Sequence, residues 1–125
     1  MKEQVNRKFD VKKLHLMERL QNLMEERKPY LNPKFSIIEL TNLLGSNRTY
    51  VSVFLNEVLC KSFFDYVNEF RLVVAEKMVI ETDDNFSVIA AKSGFNSICT
   101  FRRAFIKKNG ITPGKYRELY GTLKN

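Results

Sequence analysis

An all-α fold of about seven helices, in which two units of short helix, glycine turn and second helix are joined by a longer helix, is predicted by three observations. Apolar residues return every three to four positions along most of the chain, the period of an amphipathic helix. Helix-start chemistry precedes these runs. Ser36-Ile37-Ile38-Glu39 has the form of a capping box, in which a serine and a glutamate three residues on satisfy each other's orphan amides. One pattern also occurs twice: Leu40-Thr41-Asn42-Leu43-Leu44-Gly45 set against Ile89-Ala90-Ala91-Lys92-Ser93-Gly94 aligns two glycines. With one extra residue after the second turn, Val51 falls opposite Phe101 and Leu55 opposite Phe105.

Residues 1–8 read as a lead-in or linker remnant. Phe9, Leu16, Leu20 and Leu23, with Leu14, Met17 and Met24 beside them, then make a first helix between Asp10 as N-cap and Pro29 as breaker. Pro29 and Pro33 bracket a connector, because proline lacks an amide donor and pushes the residue before it out of helix. The capping box opens a helix through Leu40, Leu43 and Leu44 to Gly45. Ser46 or Asn47 caps the next, whose Tyr50, Val51, Phe54, Leu55 and Val58 face inward. A long helix from Ser62 to Glu81 carries Phe63, Val67, Phe70, Val74 and Met78 as its stripe and ends at Thr82-Asp83-Asp84-Asn85. The second unit runs from Ser87 to Ser93, turns at Gly94-Phe95-Asn96 and continues from Ser97 to Lys108 before Gly110. Thr112-Pro113 starts a last helix through Tyr116 and Leu119. The expected organisation is a first unit over 9–61, a connecting helix over 62–82 and a second unit over 83–125.

A short helix, a tight turn and a second helix with a polar outer face make a helix-turn-helix. Charge separates the two halves of this pattern. The chain carries a formal net charge of +7. Residues 61–90 hold three basic against six acidic side chains, whereas residues 91–125 hold eight basic against Glu118 alone. Such a basic terminal third has the electrostatic footprint of a polyanion binder. Apolar runs such as Leu72-Val73-Val74-Ala75 fall far short of the ~20 residues that cross a bilayer, and the first residues lack a signal-peptide apolar core, so a cytoplasmic protein without membrane attachment is expected. Cys60 and Cys99 form no Cys-x-x-Cys pair and read as free thiols, and His15 is the sole histidine, so no metal site is expected. Phosphate-loop, zinc-protease and nucleophile-elbow patterns are missing, so the reading is not an enzyme and needs no cofactor.

Gly94-Phe95-Asn96-Ser97, Phe101, Arg103, Phe105, Lys107, Lys108, Gly110, Thr112-Pro113 and Tyr116-Arg117 resemble the C-terminal signature of the arabinose-operon regulator (AraC) family of bacterial transcription regulators. The likeness extends upstream over Leu40 to Leu55, Ser62-Phe63, Tyr66-Val67, Arg71-Leu72 and Ala75, and so covers residues 35–117. It implies two helix-turn-helix subdomains, each homeodomain-like, whose recognition helices enter successive major grooves of one duplex about 34 Å apart. The implied partners are double-stranded promoter DNA and RNA polymerase, with a sensory or dimerisation region lying outside this sequence.

Under that resemblance the DNA-facing set of the first recognition helix is Asn47, Arg48, Thr49, Ser52, Val53 and Asn56. The second offers Ile98, Cys99, Arg102 and Arg103 near base edges, with Asn96 and Ser97 near the turn and Lys107 and Lys108 on phosphates. Arg103 matches the family's signature arginine. Val53 stands where many members carry the counterpart arginine, and Cys60 where a glycine usually ends the helix, which puts a left-handed cap there in question. The rival readings are a protein-interaction module that keeps the fold, and a charge-driven binder of nucleic acid without sequence preference. The phenylalanines are expected in the core rather than stacked on bases.

Overall fold

Seven α-helices and one 3-10 turn form the regular structure in a computed structural model that describes the backbone of residues 2–122 and the side chains of residues 11–122. The helices are α1 (Lys2–Arg27), α2 (Ile37–Leu44), α3 (Arg48–Glu57), α4 (Phe63–Glu81), α5 (Phe86–Lys92), α6 (Ile98–Asn109) and α7 (Pro113–Tyr120), with the 3-10 turn at Pro29–Leu31. Among the described residues there is no strand. The expected all-α architecture is therefore present, with one difference at its start. Residues 2–8, expected as a lead-in, are already helical, and Asp10 lies inside α1 rather than capping it. The chain divides into two units, one made of α1 through Pro29 with Phe35–Phe63, the other of Tyr30–Lys34 with the chain from Phe64 onward.

In the first unit, α1 buries Leu16, Leu20 and Met24, while Leu14, expected in the apolar face, is 60% exposed. Phe35, Leu40, Leu44, Val51, Phe54 and Leu55 supply the rest of the buried apolar side chains. Ser36 caps α2 by accepting from the Glu39 amide at 3.2 Å. Asn47 caps α3 by accepting from the Tyr50 amide at 2.8 Å. Between them Gly45 takes φ +63°, which lets the Ser46 amide reach back to the Thr41 carbonyl at 3.1 Å. The Arg19 guanidinium of α1 donates to the Leu44 carbonyl, so a basic side chain satisfies an orphan acceptor at the end of α2. Cys60 retains the left-handed backbone that a glycine would supply, at φ +56°, and the Lys61 amide thereby reaches the Leu55 carbonyl at 3.1 Å. The turn is thus kept at a conformational cost instead of being rebuilt.

The second unit packs Leu72, Ala75 and Val79 of α4 against Ile89 and Ala90 of α5 and against Phe95, Phe101 and Phe105. Phe101 meets Phe95 and Phe105 edge-on at ring-centroid distances of 5.7 and 5.8 Å, and Phe105 meets Tyr116 of α7 at 5.1 Å. Such aromatic pairs add about 0.5–1.5 kcal/mol each beyond the area they bury. The buried stripe of α4 is rotated from the expected one. Tyr66, Val67, Arg71, Leu72, Ala75 and Val79 are buried, whereas Phe63, Phe70, Val74 and Met78 are only partly so. The reason is Arg71. Its Nε donates to the Tyr30 carbonyl at 2.7 Å and a terminal nitrogen to the Asn32 carbonyl at 3.0 Å, so α4 turns this side chain inward to hold the connector. The Tyr30 ring stacks on Phe70 at 5.3 Å. Arg117 of α7 does similar work at the far end, donating to the Val79 and Asp84 carbonyls at 3.0 and 2.8 Å with its guanidinium 4.6 Å from the Phe86 ring.

Gly94 sits under the connector at φ +93°, and a Cβ there would lie 2.2 Å from the Tyr30 carbonyl oxygen and 2.9 Å from the Leu31 Cα. Gly110 is also left-handed, at φ +77°, but a Cβ there would meet nothing within 4 Å. Gly94→Ala is therefore expected to cost about 3 kcal/mol or more, from backbone strain plus overlap with main chain that cannot swing aside. Gly110→Ala should cost only about 1–2 kcal/mol. Denaturant unfolding of both variants measures the difference, and equal losses would mean that the connector does not press on the turn. Cys60→Gly, by relieving a left-handed non-glycine residue, should raise stability by about 0.5–1 kcal/mol after the added unfolded-state entropy of glycine is set against it. A lower unfolding midpoint would contradict that.

Candidate nucleic-acid interface

The second helix-turn-helix is α5, the turn Ser93–Ser97 and α6. Ser93 ends α5 fully buried, its hydroxyl donating to the Ile89 carbonyl at 2.6 Å. Asn85 caps α5 and Ser97 caps α6, the latter accepting from the Thr100 amide at 3.1 Å. With Phe101 and Phe105 at 0% exposure, the 3.6-residue period aims Cys99, Arg102, Arg103, Ile106 and Lys107 away from the core. All five are exposed, and Ile106 is 42% exposed despite being apolar. Asn96 is exposed just before the cap.

Two members of the expected set are engaged inside this unit. Ile98 is half-buried and packs against the aromatic core, so at most its edge faces outward. Lys108 lies on the side of α6 that faces α4, and its Nζ is 2.7 Å from the Glu76 carboxylate. Glu76 is the less exposed partner, at 15% against 51%. Sequence spacing alone puts Lys107 and Lys108 side by side, but one residue is a third of a turn, enough to separate a free cation face from an intramolecular ion pair.

The first helix-turn-helix is α2, the turn Gly45–Asn47 and α3. Its buried residues Val51, Phe54 and Leu55 leave Thr49, Val53, Asn56 and Glu57 exposed along the opposite side, with Arg48 exposed in the first turn and Ser52 half-buried at the flank. Val53 is 42% exposed and borders a shallow depression lined by Tyr50, Phe54 and Val58, with Lys13 and Glu57 beside it. Asn47 uses its side-chain oxygen as the α3 cap, which leaves its amide nitrogen to donate outward. Two residues of the outward stripes, Glu57 and Ile106, were not singled out from sequence. Their signal was available: each lies four and three residues, respectively, beyond Val53 and Arg103 on the same face.

The two recognition helices share a scaffold and differ in charge. Their caps and buried positions correspond at a constant offset, Asn47 with Ser97, Val51 with Phe101 and Leu55 with Phe105. Neither helix has an acidic residue in its first turn, so both positive dipole ends are left uncompensated. Residues 35–63 contain Arg48 and Lys61 against Glu39 and Glu57 and are neutral, whereas α6 alone carries Arg102, Arg103, Lys107 and Lys108 and no acid. Burial of the Arg71 guanidinium lowers its pKa, and burial of the Tyr66 hydroxyl, aided by Glu69, pushes its pKa up to about 12. Both groups lie on the buried side of α4, outside the two recognition helices. Among the described residues no helix is long and apolar enough to cross a membrane.

Residues 40–119 match the family described as a helix-turn-helix domain. The chain is 27% identical over 118 residues to the HTH-type transcriptional regulator YtdP of Bacillus subtilis, a match that takes in 94% of this chain and only 15% of that protein. In fold it is similar to the C-terminal domain of the two-component response regulator yesN from Fusobacterium nucleatum, at TM-score 0.69 and 29% identity, over 81% of this chain and 96% of that domain. The DNA-binding domain of AdpA, a global transcriptional factor solved in complex with a target DNA, shares the fold at TM-score 0.70 and 19% identity, over 84% of this chain and 91% of that one. With both helix-turn-helix units inside or overlapping the matched span and the same fold in these domains, the chain belongs to the AraC-type helix-turn-helix DNA-binding domains of transcriptional regulators, a family that is not enzymatic.

Proposed function

We propose that this chain binds promoter DNA by sequence and thereby regulates transcription, with α3 and α6 as its two major-groove readers. The observation that carries the proposal is the outward stripe of α6. Arg102, Arg103 and Lys107 are exposed on a helix whose opposite face is locked by Phe101 and Phe105. Arginine pairs in bidentate fashion with the O6 and N7 of guanine, and lysine neutralises phosphate without reading sequence. Arg103, which points most directly away from the buried face, is assigned to a base edge, with Cys99 and Arg102 flanking it. Asn96 and Ser97 lie at the amino end of α6, where backbone amides and an uncompensated positive dipole end favour a phosphate. Thr49, Ser52, Val53 and Asn56 form the corresponding surface of α3, and Arg48 with the amide of Asn47 serves its phosphate side. In this reading residues 9–61 and 83–125 each present one recognition helix and residues 62–82 join them. RNA polymerase is the downstream partner through which a promoter-bound regulator acts.

Selection of bound duplexes from a random pool, followed by titration of the winner against scrambled DNA at several salt concentrations, tests the proposal. A motif with two elements about one helical turn apart is expected. Binding without any motif would leave only a charge-driven module. On the selected duplex, Arg103→Ala should cost about 1–3 kcal/mol and relax preference at one base pair. Equal loss on every sequence would remove its base-reading role. Lys107→Ala should weaken all sequences alike and reduce the slope of log affinity against log salt by about one unit. Lys108→Ala, whose partner is Glu76, should leave that slope close to wild type; the same one-unit drop would return Lys108 to the phosphate-contacting set.

A further inference from the structure

We infer that α3 reads an A·T pair through the thymine methyl group, with Val53 as the residue that sets this preference, in contrast to the arginine reading of α6. The inference rests on the DNA-binding reading above and specifies what one half of the protein recognises. It begins from register. Counting from the two caps, Thr49 occupies the place of Cys99, Val53 that of Arg103, Asn56 that of Ile106 and Glu57 that of Lys107. At the position that faces furthest from the core, α6 has a five-donor guanidinium and α3 has an isopropyl group with no donor or acceptor. Guanine cannot be selected there by hydrogen bonding.

Val53 is also not explained by packing. The buried side of α3 is Val51, Phe54 and Leu55, while Val53 remains 42% exposed. A β-branched apolar residue on the outer face of a helix forgoes helix propensity and leaves apolar surface in water, which Asn56 or Glu57 on the same face does not. Beside it, Tyr50, Phe54 and Val58, with Lys13 of α1 and Glu57, line a shallow depression on the flank of α3, so Val53 borders apolar surface without being enclosed by it. Of the four base-pair orientations, only those containing thymine present a methyl in the major groove. Asn56, one turn further along the same stripe, has the carboxamide that bridges the N6 and N7 of adenine. Charge argues the same way. The α3 helix carries one cation, Arg48, against one carboxylate, Glu57, and the latter stands on the stripe itself, so the face that would read bases holds no net charge.

The test replaces each thymine of the selected duplex in turn by deoxyuridine, which removes the 5-methyl group and leaves every hydrogen-bonding atom in place. Binding of the wild type should fall about fourfold at one or two positions, the effect of exposing one buried methyl. At one of these the loss should vanish in Val53→Ala, whose fold is checked by circular dichroism and which contributes nothing to the core. Val53→Arg should in addition shift preference at that base pair from A·T to G·C. A selected motif in which no uracil effect depends on residue 53 overturns this inference and leaves sequence-specific binding standing. The absence of any selected motif overturns sequence reading itself, and this inference with it.

Discussion

A buried guanidinium bonded to main-chain carbonyls is the constraint on which the second unit is built. Arg71 is 5% exposed and meets no carboxylate; its hydrogens go to the carbonyls of Tyr30 and Asn32 and to the Asn68 side chain at 3.1 Å. A charge taken out of water without an opposing charge is costly, and the cost is offset only when its donors are satisfied in good geometry. The connector supplies acceptors because prolines at 29 and 33 prevent it from spending its carbonyls in a regular helix. The consequences run outward from this contact. The Tyr30–Leu31 backbone lies where a Cβ of residue 94 would be, so the turn that launches α6 must be glycine. From that turn Ser97 starts α6 and Phe101 and Phe105 fix its rotation, which determines the direction in which Arg103 points.

The two helix-turn-helix units reach one backbone pattern with different cores. Leu40, Leu44, Val51 and Leu55 in the first correspond to Ile89, Ser93, Phe101 and Phe105 in the second. Where the second unit gains two aromatic rings it loses a leucine for a serine, which satisfies its hydroxyl on the carbonyls of its own helix. Close-packed interiors demand such volume compensation, and it leaves the outer face of each recognition helix independent of the residues that hold it. The scaffold is therefore conserved within one chain while the exposed stripe is open to change.

Much of this was legible in the sequence, and the failures share a cause. Capping residues, glycine turns and the repeat announced six of the seven helices closely, because each depends on local chemistry: Asn47, Ser97 and Thr112 cap where their side chains must satisfy a nearby amide. What was missed depends on the residue across the gap. Arg71 falls outside the apolar stripe expected of α4, and the connector carbonyls that draw it inward cannot be read from local spacing. Lys108, expected on phosphate, lies 2.7 Å from Glu76, a partner that the sequence does not reveal. Ile98 lies at the margin between core and outer face, where periodicity has least resolving power. Cys60 shows the reverse case: the residue departs from the expected glycine, yet the hydrogen bond from Lys61 to Leu55 holds the backbone in the same left-handed turn. That local hydrogen bond offsets part of a penalty of about 1–2 kcal/mol.

Unlike halves are an advantage to a protein that must find one site among many. Phosphate attraction raises affinity for every duplex alike, so a reader with two strongly basic helices would gain hold on nonspecific DNA as fast as on its target. If α6 supplies most of the attraction, the neutral α3 adds free energy only where the bases suit it. Under the proposed reading, linkage would make that small contribution effective, because a seated α6 would hold α3 at a high local concentration beside the same duplex with no second cost of association. A wrong base pair would then forfeit a methyl or amide contact with no charge interaction to make up for it. In the same reading the Glu57 carboxylate at the end of α3 would lower affinity for every duplex alike, so that base contacts would have to supply what it costs.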